Sequence, residues 1–159
     1  RMTMNKMVLS LCLAGVIALP PLAQARPVTL TTQLKNYSGD GAYLAIYVTD
    51  AAGQYQKTLW VSGKKAKHYK NLRDWARGSG LKPAEYDGVS GASVGSGRAL
   101  KVTVDLADTL IDAGYEIRVD SAVEDGRDNP ADVRTPLTSE GAGKPAAGRG
   151  YVQSFTYDM

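Results

Sequence analysis

The chain has 159 residues, with 19 Lys and Arg against 16 Asp and Glu, a single His and a single Cys. One histidine excludes a multi-His metal site, and one cysteine excludes an internal disulfide, Cys-ligated zinc and iron–sulfur clusters. A surplus of only three positive charges, with no long basic run, gives no case for a nucleic-acid footprint.

The first element in chain order has the form of a secretory signal. Asn5 and Lys6 supply a short positive start, Met7 to Leu19 an apolar core, and Ala23-Gln24-Ala25 a small-residue cleavage site. The apolar run is too short to span a bilayer and ends at Pro20-Pro21. Cleavage after Ala25 is expected to release residues 26–159 as one domain in the periplasm, not embedded in the membrane. Arg1, Lys6 and Cys12 leave with the signal, so 17 cations then face 16 anions and no cysteine remains.

Val28 to Leu34 places Val, Leu, Thr and Leu on one face, the period of a half-buried strand. Turn residues 36–41 lead into a second strand, Tyr43 to Thr49, and Asp50-Ala51-Ala52-Gly53 closes a hairpin with Tyr55 to Val61. Lys64 to Arg77 then changes period. Tyr69, Leu72, Trp75 and Ala76 share one helical face, opposite Lys67, Lys70, Arg73 and Arg77, and Gly78 is the expected stop. That basic face is either a docking surface or, as on most such helices, simply solvated. Leu100 to Leu106 and Tyr115 to Val123 alternate cleanly, which predicts antiparallel strands with one wet face. Residues 124–149 are rich in Gly, Pro and charge and predict a long irregular loop before a last strand, Tyr151 to Tyr157. The expected fold is mainly β: an antiparallel two-sheet, immunoglobulin-like sandwich with one amphipathic helix.

Asp87-Gly88-Val89-Ser90-Gly91-Ala92-Ser93 reads as an exposed loop of small residues carrying hydroxyls and a carboxylate. Gly88, Gly91 and Ala92 leave room for another protein's active site to close around the backbone. The Ser93 hydroxyl is a candidate nucleophile, but no base stands near it in sequence, so activation must come from outside. The stretch lacks the Gly-Lys-Ser/Thr ending of a P-loop.

Asp-Gly-x-Ser-Gly-Ala-Ser resembles the motif modified by periplasmic, magnesium-dependent FMN transferases. The resemblance implies that Ser93 is the acceptor, Asp87 the leading acid and Ser90, Gly91 and Ala92 the recognised core, with Ser where Thr is the more usual acceptor. Residues 42–124 as a whole are similar to a family of periplasmic domains of unknown function found among flavinylated extracytoplasmic proteins. The segments that carry the likeness are Tyr43-Leu44-Ala45-Ile46-Tyr47-Val48, Thr58-Leu59-Trp60-Val61, Leu72-Arg73-Asp74-Trp75 and Gly114-Tyr115-Glu116-Ile117-Arg118-Val119. Association of such families with PepSY-type membrane redox proteins implies an electron carrier with covalent FMN.

Trp60, Trp75 and Tyr86 are candidate stacking partners for a flavin ring, against the plainer reading of the two Trp as core. His68 is expected beside Trp75, packed or at the surface. Asp120, Glu124, Asp125, Asp128 and Asp132 fit no calcium loop and read as a solvated acidic run. The rival to a flavoprotein is a cofactor-free immunoglobulin-like binding module. A third possibility is a flavin-dependent reductase whose substrate sits under residues 124–149.

Overall fold

The computed structural model describes residues 24–159. The segment read as a signal lies outside them apart from Gln24 and Ala25, and Ala25 begins the first strand opposite Ala107. In chain order the strands are β1 (Ala25–Leu34), β2 (Ala42–Thr49), β3 (Tyr55–Ser62), β4 (Ser90–Gly91), β5 (Ala99–Ala107), β6 (Glu116–Val123), β7 (Asp128–Pro136), β8 (Ala146–Ala147) and β9 (Val152–Asp158). They form a four-stranded sheet, β5-β1-β9-β8, facing a five-stranded sheet, β4-β3-β2-β6-β7. Every pairing is antiparallel except β3 with β4, so the second sheet is mixed.

Alternation explains the sandwich. Val28, Leu30 and Leu34 of β1 and Phe155 and Tyr157 of β9 point inward against Leu44, Ile46 and Val48 of β2 and Ile117 and Val119 of β6. Thr32 shares that inner face, and its hydroxyl is buried without a partner.

The five-stranded sheet is covered on its outer face too. Tyr43, Ala45 and Tyr47 of β2 and Val61 of β3 pack with Tyr69, Leu72 and Trp75 in a second core cluster. Tyr69 comes from a 3-10 turn, Ala66–Asn71, and Trp75 from α1 (Arg73–Ser79), with Leu72 joining the two. The continuous helix expected over 64–77 is therefore broken at Leu72, whose φ of −83° and ψ of 75° are not helical. The physical reason lies on β6: buried Asp120 accepts the Trp75 backbone N–H at 2.8 Å, capping the first turn of α1 from another element. The helix also runs past Gly78 and ends at Gly80 in the left-handed region.

The long irregular loop is likewise corrected, because residues 128–136 form β7 and residues 146–147 form β8. Pro130 and Pro136 hide the strand in sequence, yet an edge strand tolerates proline. Asp132 holds the return of the chain: its buried carboxylate accepts the backbone N–H groups of Arg149, Gly150 and Val152 and the Ser121 hydroxyl. Asp120 and Asp132 are thus buried pins, which corrects the solvated acidic run at those two positions, while Asp125 is exposed and Glu124 and Asp128 are half-buried. The wet face expected of β6 is dry from Asp120 to Val123.

Candidate functional site

Two backbone bonds of 3.1 Å and one of 2.8 Å shape the approach to the motif: Tyr86 N–H and Asp87 N–H both donate to Pro83 O, and Val89 N–H donates to Tyr86 O. Gly88 has φ +80°, a conformation that favours glycine. The chain then joins the sheet. Val61 N–H donates to Val89 O at 2.9 Å and Gly63 N–H to Gly91 O at 2.8 Å, so Ser90 and Gly91 form a parallel edge beside Val61 and Ser62. Two of the motif's seven residues, Ser90 and Gly91, are therefore strand, a correction to the free loop expected from its small residues. Gly91 is required by contact, since a Cβ there would lie 2.8 Å from the Trp60 indole.

Ser93 follows, fixed from both sides. Val94 exchanges backbone bonds with Ala42, at 2.6 Å and 3.0 Å, and the Ser93 hydroxyl accepts the Lys64 backbone N–H at 2.8 Å. Gly41 is the close neighbour; a Cβ on it would come within 2.9 Å of the Ser93 Cβ. The half-buried Ser93 opens onto a cleft of about 260 Å³ lined by Asp40, Gly41, Tyr43, Lys64, Lys65 and Glu124. Tyr43 accepts the Lys65 backbone N–H at 2.9 Å, and Glu124 is engaged by His68 Nε2 at 3.1 Å.

This arrangement suits a phosphoester. The hydroxyl oxygen is presented at the cleft, and Lys64 and Lys65 belong to its wall, where their cations can meet phosphate oxygens. Lys64, Lys65, Gly41 and Tyr43 had no signal in the local sequence of the motif. They reach Ser93 through the β3–β4 pairing and the Ala42–Val94 bridge.

Asp87, Gly88, Ser90 and Ala92 are exposed, and Ser93 and Gly91 partly so. Tyr86 is turned inward, edge-on to Tyr69 at 5.1 Å and near Trp75 at 6.0 Å. Trp75 is fully buried and donates its indole N–H to Thr58, so it is core and cannot stack on a ligand. Trp60 lines a separate cleft with Val89 and Asp105. His68 is edge-on to Tyr43, 5.7 Å away, not beside Trp75 as expected. Burial, then Tyr86 and Tyr43, raises the Tyr69 phenol above its ordinary range.

Residues 25–154 match the model of a family described as "Predicted periplasmic protein (DUF2271)". The chain belongs to that family. No curated protein and no solved structure matches it. Membership of DUF2271 makes it a predicted periplasmic protein, and among the described residues no helix is long and apolar enough to cross a membrane. The DUF2271 match takes in β1 to β8, the start of β9, α1 and the whole 87–93 segment.

Proposed function

We propose that this periplasmic β-sandwich is an electron carrier bearing FMN as a phosphoester on Ser93, attached by a periplasmic FMN transferase. The observation that carries the reading is the placement of Ser93 itself. The motif leaves Asp87, Ser90 and Ala92 exposed while Ser93 opens onto a cleft whose wall includes Lys64 and Lys65 together with Asp40 and Glu124.

In the attachment step the Ser93 oxygen attacks the FMN-side phosphorus of FAD. A new O–P bond forms, the pyrophosphate bond to AMP breaks, AMP leaves, and the hydroxyl proton passes to the transferase. The chain's part is to hold the nucleophile. The Lys64 N–H fixes the hydroxyl's direction, Gly41 leaves room beside it, and the strand pairing of Gly91 steadies the loop. Lys64 and Lys65 then offset the charge of the phosphodiester. Bound FMN supplies reversible redox chemistry, and the protein supplies orientation and charge. A PepSY-type membrane protein is the proposed redox partner. The exposed face of Lys67, Lys70, Arg73 and Arg77 is the surface offered to it, although Arg73 and Arg77 already pair with Asp128 and Asp74.

Intact mass of protein exported from a host with the transferase tests this directly. The expected increase is one FMN less water, absent without the transferase and absent in Ser93→Ala. A mass increase that survives Ser93→Ala overturns the site. Unmodified mass in the presence of an active transferase favours the cofactor-free binding module.

A further inference from the structure

A second cleft, of about 330 Å³, is lined in part by Lys35, Asn36, Tyr37 and Arg127, from the same 35–41 and 124–127 connections whose Asp40, Gly41 and Glu124 line the Ser93 cleft. Its walls include two half-buried tyrosines, Tyr37 and Tyr151, with ring centroids 4.9 Å apart and planes tilted by 53°. Three cations, Lys35, Arg127 and Arg149, border it, and no carboxylate of the described residues does. Its construction is firm. The Arg127 backbone N–H donates to the Tyr151 hydroxyl at 2.8 Å, and the Arg149 guanidinium donates to the carbonyls of Pro130 and Ala131, each at 2.8 Å. Aromatic faces bordered by three cations suit a planar ring system that is or becomes anionic.

The cleft is within reach of Ser93. Tyr37 donates its hydroxyl to Asp40 O at 2.7 Å, Asp40 is bonded to Gly41, and Gly41 touches Ser93. Standard bond lengths along that path cap the separation of the Tyr37 hydroxyl and the Ser93 Cβ at about 11 Å. A ribityl phosphate of about eight single bonds spans roughly 10 Å when extended. Ser96 ties the same parts together, since its hydroxyl bonds both the N–H and the carbonyl of Tyr37 at 2.7 Å. The Ser93 cleft itself is smaller, and its two lysines, set against Asp40 and Glu124, leave no surplus positive charge there for a second anionic group beside the phosphate.

We infer that the Tyr37–Tyr151 cleft seats the isoalloxazine ring of the flavin tethered at Ser93. This rests on the Ser93 reading above. Reduction by an outside donor brings two electrons and one proton to the neutral ring, leaving one negative charge. Lys35, Arg127 and Arg149 stabilise that charge and raise the midpoint potential.

The test uses the full chain, exported with the transferase, with flavin content fixed by intact mass. Tyr37→Phe and Tyr151→Phe keep ring volume but remove the phenol that quenches flavin emission by electron transfer, so fluorescence per flavin should rise several-fold. Lys35→Gln with Arg127→Gln should shift the potential to more negative values at unchanged flavin content. Trp60→Phe, in the rival cleft, should leave brightness unchanged. Fully loaded variants with unchanged brightness and potential overturn the ring seat alone. A rise only in Trp60→Phe moves the ring to the other cleft and also overturns it. Absence of flavin from the unsubstituted protein overturns the Ser93 reading and the ring seat together.

Discussion

The two faces of β2 are both buried but are built from different chemistry. Toward the partner sheet, Leu44, Ile46 and Val48 meet apolar side chains and need no polar partners. Toward α1, Tyr43 and Tyr47 bring hydroxyls under cover, and each must be paired. Tyr47 donates to Asp120 Oδ1 at 2.8 Å, while Tyr43 accepts from the Lys65 backbone at 2.9 Å beside the Ser93 cleft. The inner face fixes that the chain folds as a sandwich. The outer face, through its polar ends, fixes where the helix starts and where the acceptor cleft forms.

The sharpest way to separate the faces is to remove the outer pin. Asp120 accepts from Tyr47, from the Trp75 N–H and from the Ala131 N–H. Asp120→Ala leaves three buried donors unpaired and should cost about 3–5 kcal/mol in denaturant unfolding. Ile46→Ala, on the inner face, should cost about 3 kcal/mol by lost burial and cavity formation. Helical circular dichroism should fall with the first and not with the second, since only Asp120 caps α1. A smaller effect of opposite sign is expected at Thr32, whose inner-face hydroxyl has no partner. Thr32→Val should stabilise by about 1 kcal/mol.

The outer face should also announce itself in alkali. Burial, with Glu85 accepting its proton, pushes the Tyr55 phenol from 10.0 up to about 12, and burial beside Asp120 raises Tyr47 further still. Below pH 10 both states hold the Tyr55 proton and its contribution is complete. Between pH 10 and about 12 the unfolded chain loses that proton while the folded chain keeps it, so stability falls as pH rises. Tyr55→Phe should flatten the decline across that window in a series of unfolding midpoints.

Most of the inner face was legible in sequence because β1, β2, β5 and β6 repeat with period two and their register follows from which face is apolar. What escaped depends on contacts distant along the chain. Nothing local to Leu72 marks the helix break, because the cap is Asp120 on β6. Nothing local to residues 128–136 marks a strand, because its prolines and acids oppose the propensity and Asp132 supplies the anchor through Arg149, Gly150 and Val152. Ser93, the proposed acceptor, stands out in sequence through its motif. Its neighbours Lys64, Lys65, Gly41 and Tyr43 were not legible, since the pairing of β4 on β3 and the Ala42–Val94 bridge bring them to it.

The central claim is chemical and site-specific, so its most direct test is localisation of the modification. Trypsin, which does not cut before Pro83, should release residues 78–98 as one peptide carrying Ser79, Ser90, Ser93 and Ser96. In protein exported with the transferase, fragment ions should place the FMN phosphoester on Ser93. Assignment to Ser90 or Ser96, or a peptide of unmodified mass from yellow protein, would contradict the account.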